Sequence, residues 1–164
     1  MKDRRKFWSL LVHAAPSTGL FLQGSLYLTT QTFMPYHADA LALTWEELPP
    51  HHQGFVLGVI RGMGAGSVAV SLALLLMLFI PFRRDDRWAL WAVPLVGITF
   101  TLLTAYAAYT IDVLTPASTP WRQTLGLTAT YIVAAVISYW PRKATPRATS
   151  KNQSSPPTTS TPSP

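Results

Sequence analysis

The sequence predicts an all-α fold: an integral membrane four-helix bundle, N-in and C-in, with a disordered cytoplasmic C-terminal tail. Three observations lead there. Hydrophobic residues make up 49% of the 164 and charged residues only 12%, about half the charge of a soluble domain. Four apolar runs, about 7–33, 54–80, 88–111 and 121–140, are each long enough to cross roughly 30 Å of hydrocarbon at about 1.5 Å per residue. The basic residues mark alternate ends of these runs. Lys2, Arg4, Arg5 and Lys6 precede the first, Arg83, Arg84 and Arg87 join the second to the third, and Arg142, Lys143, Arg147 and Lys151 follow the fourth. Basic connections stay in the cytoplasm, so a multi-pass protein of a bacterial inner membrane is expected. Its membrane domain is 1–141 and its tail 142–164.

Composition also excludes. The absence of cysteine removes disulfides, thiolate metal sites, iron–sulfur clusters and thiol nucleophiles together. The net charge of +6 sits at the ends of the apolar runs, a membrane pattern, and no nucleic-acid partner is expected.

The first run opens on MKDRRKF, which resembles the start of a signal peptide. Apolar character resumes beyond Pro16, so cleavage is not expected. Pro16 lacks an amide hydrogen and predicts a kink. Gln23, in mid-run, belongs against another helix, since lipid offers it no partner.

The outer connection 34–53 holds His37, His51 and His52 beside Asp39, Glu46 and Glu47. Thr44-Trp45-Glu46-Glu47 fits a capping box, and Pro49-Pro50 stops that turn. A short, partly helical segment over 38–48 is expected, anchored at headgroup level by Tyr36 and Trp45.

In the second run Gly54, Gly58, Gly62 and Gly66 recur every fourth residue. This small-residue stripe would admit a close neighbouring helix. Arg61 is the one charge in the run, about 10 Å from its outer end. A charge at that depth is costly, so it either snorkels outward or faces an outward-open polar pocket. In the second case Glu46, Glu47 and Asp112 are its candidate counter-charges. Pro81 should end the run before the link FRRDDR, whose Asp85 and Asp86 sit among arginines.

In the third run Trp88 and Trp91 mark the inner interface, Pro94 predicts another kink, and Thr99, Thr101, Thr104, Tyr106, Tyr109 and Thr110 make the outer half polar. That half faces either the bundle interior or, for the tyrosines, the lipid interface. Asp112 closes it. The second outer connection, 112–120, ends in Thr119-Pro120, a cap followed by proline at the first helical position. The fourth run ends at Tyr139-Trp140, and the Pro/Ser/Thr-rich tail cannot bury enough apolar surface to fold.

The size, the outer loop after the first helix and the charge early in the second resemble the plan of small bacterial four-helix membrane proteins of the DoxX-like kind. The words MPYH, WEELPPHHQ, RGMGAG and TPASTPW resemble the motifs of an uncharacterised bacterial membrane family. The likeness spans about 9–140. It implies the membrane fold and transfers no activity, cofactor or site residue.

For function, the leading expectation is a pocket that binds a lipid, small amphiphile or anion, with Arg61, Glu46, Glu47, Asp112, Gln23 and Tyr106 around it. One alternative is a membrane enzyme using outer His and Glu side chains. His37, His51 and His52 could hold a metal with three ligands and water, although no HxxxH or HExxH spacing is present. Otherwise no cofactor is expected. The other alternative is a structural or accessory subunit, homo-oligomeric or paired with another membrane protein through the glycine stripe.

Overall fold

The computed structural model describes residues 2–84 and 86–139. Expectations for Asp85, for Trp140 and for the tail 142–164 lie outside those residues. The described chain is all helical, without strands. Its helices are α1 (Lys2–Thr29), α2 (Pro35–Leu41), α3 (Pro50–Met77), α4 (Arg87–Leu114) and α5 (Trp121–Tyr139), and a π-helical turn, Leu78–Phe82, extends α3. Two of these, Pro50–Phe82 and Arg87–Leu114, are long and apolar enough to cross a membrane.

Local chemistry explains where the elements depart from the sequence boundaries. α1 stops at Thr29 rather than Phe33, where the Thr29 hydroxyl donates to the Ser25 carbonyl and the Thr30 hydroxyl to the Thr32 carbonyl. The helical segment of the 34–53 connection begins earlier than expected, at Pro35, because proline suits the first helical turn. It ends on Ala42, whose left-handed backbone has φ 53°. Pro50 acts in the same way, opening α3 four residues ahead of Gly54. Pro81 does not end the second run. The helix widens there to a π-turn that carries the proline inside it, which accommodates both the missing amide hydrogen and the ring. α1 and α4 continue as helix through Pro16 and Pro94.

The long helices pack α1 against α3, α4 against α5, and α1 against α5. α3 meets α4 chiefly near their short link. Two apolar clusters result. One, at the end marked by Arg83, Arg84 and Arg87, gathers Leu74, Leu78, Phe82, Ala89, Val93 and Tyr131. The other, at the end marked by the 30–49 segment, gathers Phe33, Leu48 and Ile60, flanked by Tyr27, Trp45 and Val56. We refer to these as the arginine end and the loop end.

Close approach between α1 and α3 depends on Gly24 and Gly64. A Cβ on Gly64 would lie 2.8 Å from the Gly24 carbonyl oxygen and 2.9 Å from the Leu28 nitrogen. Gly54, Gly58, Gly62 and Gly66 meet nothing within 4 Å. Among the described residues the expected stripe therefore meets no neighbouring helix, and a different glycine pair makes the crossing. The outward faces are apolar. Leu22, Phe55, Leu76, Leu103 and Val133 are all exposed, and only 22% of the most apolar stretch of α3 is buried. A soluble protein's core helix would be buried over most of its length.

Candidate functional site

Side-chain chemistry concentrates in two places, a buried ladder of polar groups and a groove at the loop end. The ladder starts from helical spacing. Ser9, His13 and Ser17 are four residues apart on α1 and fall on one face. Facing them on α5 are Ser138 and Tyr131. Ser9 Oγ lies 2.7 Å from Ser138 Oγ. Ser17 Oγ donates to the His13 carbonyl at 2.9 Å and lies 2.8 Å from the Tyr131 hydroxyl. With its single hydrogen committed, Ser17 accepts from Tyr131. One layer on, Thr128 Oγ1 donates to Thr101 Oγ1 at 2.8 Å, and Thr101 donates to the Gly97 carbonyl at 2.8 Å. Gly97 is the position that admits the tyrosine, since a Cβ there would lie 2.6 Å from the Tyr131 ring. Each of these hydroxyls is satisfied, and the ladder acts as a seam between α1, α4 and α5.

His13 departs from that completeness. It is fully buried, with its ring 5.2 Å from that of Phe82. Nδ1 lies 2.8 Å from the Ser9 carbonyl oxygen. That oxygen can only accept, so the neutral ring carries its hydrogen on Nδ1. Nε2 is then a buried acceptor, and it has no partner.

The groove lies between the loop ends of α1 and α5 and encloses about 420 Å³, within the range of small-molecule sites. Gln23, Tyr27, Met34 and Tyr36 form one wall. Pro120, Gln123, Thr124 and Leu127 form the other. The hydroxyls of Tyr27 and Tyr36 are hydrogen-bonded to each other. Burial, and then that bond, push the Tyr36 phenol well above its ordinary range, so it stays neutral. Next to it, the His37 ring packs against that of Tyr36 at a tilt of 51°, with centroids 4.2 Å apart. His37 Nδ1 accepts the Met34 backbone N–H at 3.1 Å, and burial lowers its pKa.

Gln23 is the one expected pocket residue that reaches this groove. Arg61 does not line it. Arg61 is exposed on α3 and donates to the Thr30 carbonyl at 3.3 Å. Asp112 does not face Arg61. Its Oδ1 accepts the Thr119 N–H at 2.8 Å and its Oδ2 accepts the Trp121 indole N–H at 3.2 Å, which fixes the start of α5. Glu47 reaches back to Thr44 as the capping box requires, accepting the backbone N–H at 2.7 Å. The Thr44 hydroxyl departs from that pattern and donates to the same carboxylate oxygen at 3.0 Å. Those two bonds hold the Glu47 carboxyl below its ordinary range. Glu47 borders a second, shallower depression with Ala38, Asp39 and Pro116. Glu46 is exposed, and Tyr106, 69% exposed, points away from the other helices.

His51 and His52 stack on each other, 4.2 Å apart. Among the described residues, no three His, Cys, Asp or Glu side chains gather where they could hold a metal.

The sequence reading did not single out Tyr27, Gln123 or Leu127 of the groove, or the ladder. The ladder had a usable signal in the Ser9/His13/Ser17 spacing of four. The groove had none, because its walls come from segments about a hundred residues apart in the chain. Comparisons with protein-family models, with curated proteins and with solved structures returned no match.

Proposed function

We propose that the chain is a multi-pass membrane protein whose loop-end groove, open to the outer side, holds a lipid or small amphiphile. On this reading four helices cross the bilayer, with both termini cytoplasmic. Its support is the level at which the helices meet. Ser17, Gly97 and Tyr131 are in contact, and Leu74 belongs to the same cluster as Tyr131. Counting about ten residues each way from that level gives a slab of roughly 30 Å. It takes in about 7–27, 64–84, 87–107 and 121–139. Trp8, Trp88, Trp91 and Tyr139 fall at one face of the slab, with Arg83, Arg84 and Arg87. Tyr106, Tyr109 and Trp121 fall at the other, as interfacial aromatic belts do.

The slab also places Arg61 about 5 Å beyond the hydrocarbon, level with the outer headgroups. That relieves the cost of a mid-membrane charge and makes snorkelling the better account of it. The first turns of α3 then stand outside the membrane with the Phe33–Leu48–Ile60 cluster.

The observation behind the binding role is the groove itself, which starts at headgroup level and descends to Leu127, about 9 Å into the hydrocarbon. Such a site suits a molecule with a polar head and an apolar chain. The test is native mass spectrometry of protein gently extracted from its membrane. Wild type retains a stoichiometric amphiphile, and Leu127→Trp, which fills the groove, loses it. Equal retention by both would remove the binding role.

The open glycine stripe favours a second reading, an accessory subunit that packs another membrane helix against Gly54, Gly58, Gly62 and Gly66. Gly62→Leu would then dissolve an oligomer or complex and leave the isolated chain folded.

A further inference from the structure

We infer that the groove selects an amphiphile with an uncharged head that both donates and accepts hydrogen bonds, such as a glycerol ester, and rejects phosphate and carboxylate heads. This inference rests on the groove's being a binding site. It follows from which polar groups line the walls and which do not.

The available polar groups are the Gln23 and Gln123 carboxamides, the Tyr27–Tyr36 hydroxyl pair and the Thr124 hydroxyl. Neither glutamine side chain forms a hydrogen bond among the described residues. Each therefore offers two N–H donors and a carbonyl acceptor. The tyrosine pair uses one phenolic hydrogen internally and leaves the other, with spare lone pairs, for a ligand. Thr124 already donates to the Pro120 carbonyl at 3.3 Å, so its oxygen can accept.

Among the described residues, no cation lines the groove. The two nearest arginines by sequence and level are engaged elsewhere. Arg61 is bonded to Thr30, and Arg122 lies over the Trp121 ring, 5.2 Å from its centroid. Tyr36 stays protonated, since burial and its bond to Tyr27 raise its pKa. An anionic head drawn between these walls would lose hydration and gain no counter-charge, which is strongly unfavourable. A neutral head exchanges water for carboxamide and phenol partners at little net loss. Met34, Pro120 and Leu127 supply apolar surface for the chain.

The test uses the full chain purified in a non-ionic detergent and two radiolabelled probes with the same hydrocarbon tail, 1-oleoylglycerol and 1-oleoyl lysophosphatidate. Binding is read by equilibrium dialysis. The neutral probe is expected to bind at least tenfold more tightly. Replacing both carboxamides, Gln23→Leu with Gln123→Leu, should cut that preference to near unity. Gln23→Lys should reverse it by placing a cation in the wall. Equal or tighter binding of lysophosphatidate to wild type overturns the inference and leaves the groove standing as an anion-tolerant site. If Leu127→Trp leaves binding of both probes unchanged, the groove is not their site, and both the inference and the role beneath it fall. Circular dichroism of each variant establishes that it is folded before its binding is read.

Discussion

The two ends of the molecule use the same kinds of polar side chain to opposite effect. In the interior ladder, Ser9 meets Ser138, Ser17 meets Tyr131 and Thr128 meets Thr101, so each hydroxyl completes a neighbour on another helix. At the loop end, the carboxamides of Gln23 and Gln123 border a gap and have no hydrogen-bond partner among the described residues. In apolar surroundings an unmade hydrogen bond is costly. Polar groups facing one another across a seam therefore serve packing. Polar groups facing a space remain available to whatever enters it. Composition alone does not separate the two, because both ends draw on ordinary polar residues within apolar helices.

The strongest way to break this contrast is at the crossing that ties the two ends together. Gly64→Leu forces a Cβ to within 3.0 Å of backbone atoms at Gly24 and Leu28, and backbone cannot turn aside as a side chain can. The expected cost lies at the top of the roughly 1–3 kcal/mol range for overpacking, or beyond it. Thermal unfolding in detergent should show a large loss. Gly62→Leu, two residues away with open space around it, should leave the monomer's midpoint unchanged. Similar losses in both variants would mean that α1 and α3 do not cross at Gly24 and Gly64.

That pair of glycines also marks how far the sequence could be read. The all-helical fold was legible because long apolar runs and basic punctuation are local signals. The crossing was not. Regular spacing drew attention to Gly54, Gly58, Gly62 and Gly66, whereas contact is decided by which face another helix reaches. Gly64 lies off the stripe and Gly24 lies on a different run. Arg61 was conspicuous for the same local reason, and its distance from the start of α3 depended on where that helix begins, which is Pro50 rather than Gly54. Of the expected pocket residues, Gln23 alone lines the groove, and it does so without Arg61; a carboxamide's cost in apolar surroundings constrains its direction whatever the partner.

A smaller effect separates the ends energetically. Phe33→Ala removes the largest side chain of the loop-end cluster and should cost about 3 kcal/mol of local stability. Amide exchange should quicken over 30–60, while the helices around Leu74 and Tyr131 keep their protection. Uniform deprotection would show that the two clusters unfold as one unit. Smaller still, Tyr131→Phe deletes the donor to Ser17 and keeps the ring against Gly97. A loss of about 1 kcal/mol is expected, in line with interhelical hydrogen bonds in membrane proteins.

The finest contrast is in pH response, and it belongs to the loop end through His37. Its Nδ1 accepts the Met34 N–H, which a protonated ring nitrogen could not do. Burial lowers its pKa below the ordinary 6.5. In the unfolded chain the imidazole takes up a proton as pH falls through about 6.5, whereas in the fold it resists until a lower pH. The unfolded state therefore binds more protons across that window, and stability falls as pH drops through it, levelling off below the folded-state pKa. Above about 6.5 the full contribution is present. In wild type, the temperature at which the 30–49 segment loosens, followed by Trp45 fluorescence in a variant lacking the other tryptophans, should decline between pH 7 and pH 5. In a His37→Gln background, where the side-chain carbonyl can still accept from Met34 and nothing titrates, the curve should flatten. If His37→Gln keeps the wild-type slope, the acid sensitivity of this end comes from another group, and the Met34–His37 bond contributes nothing to it.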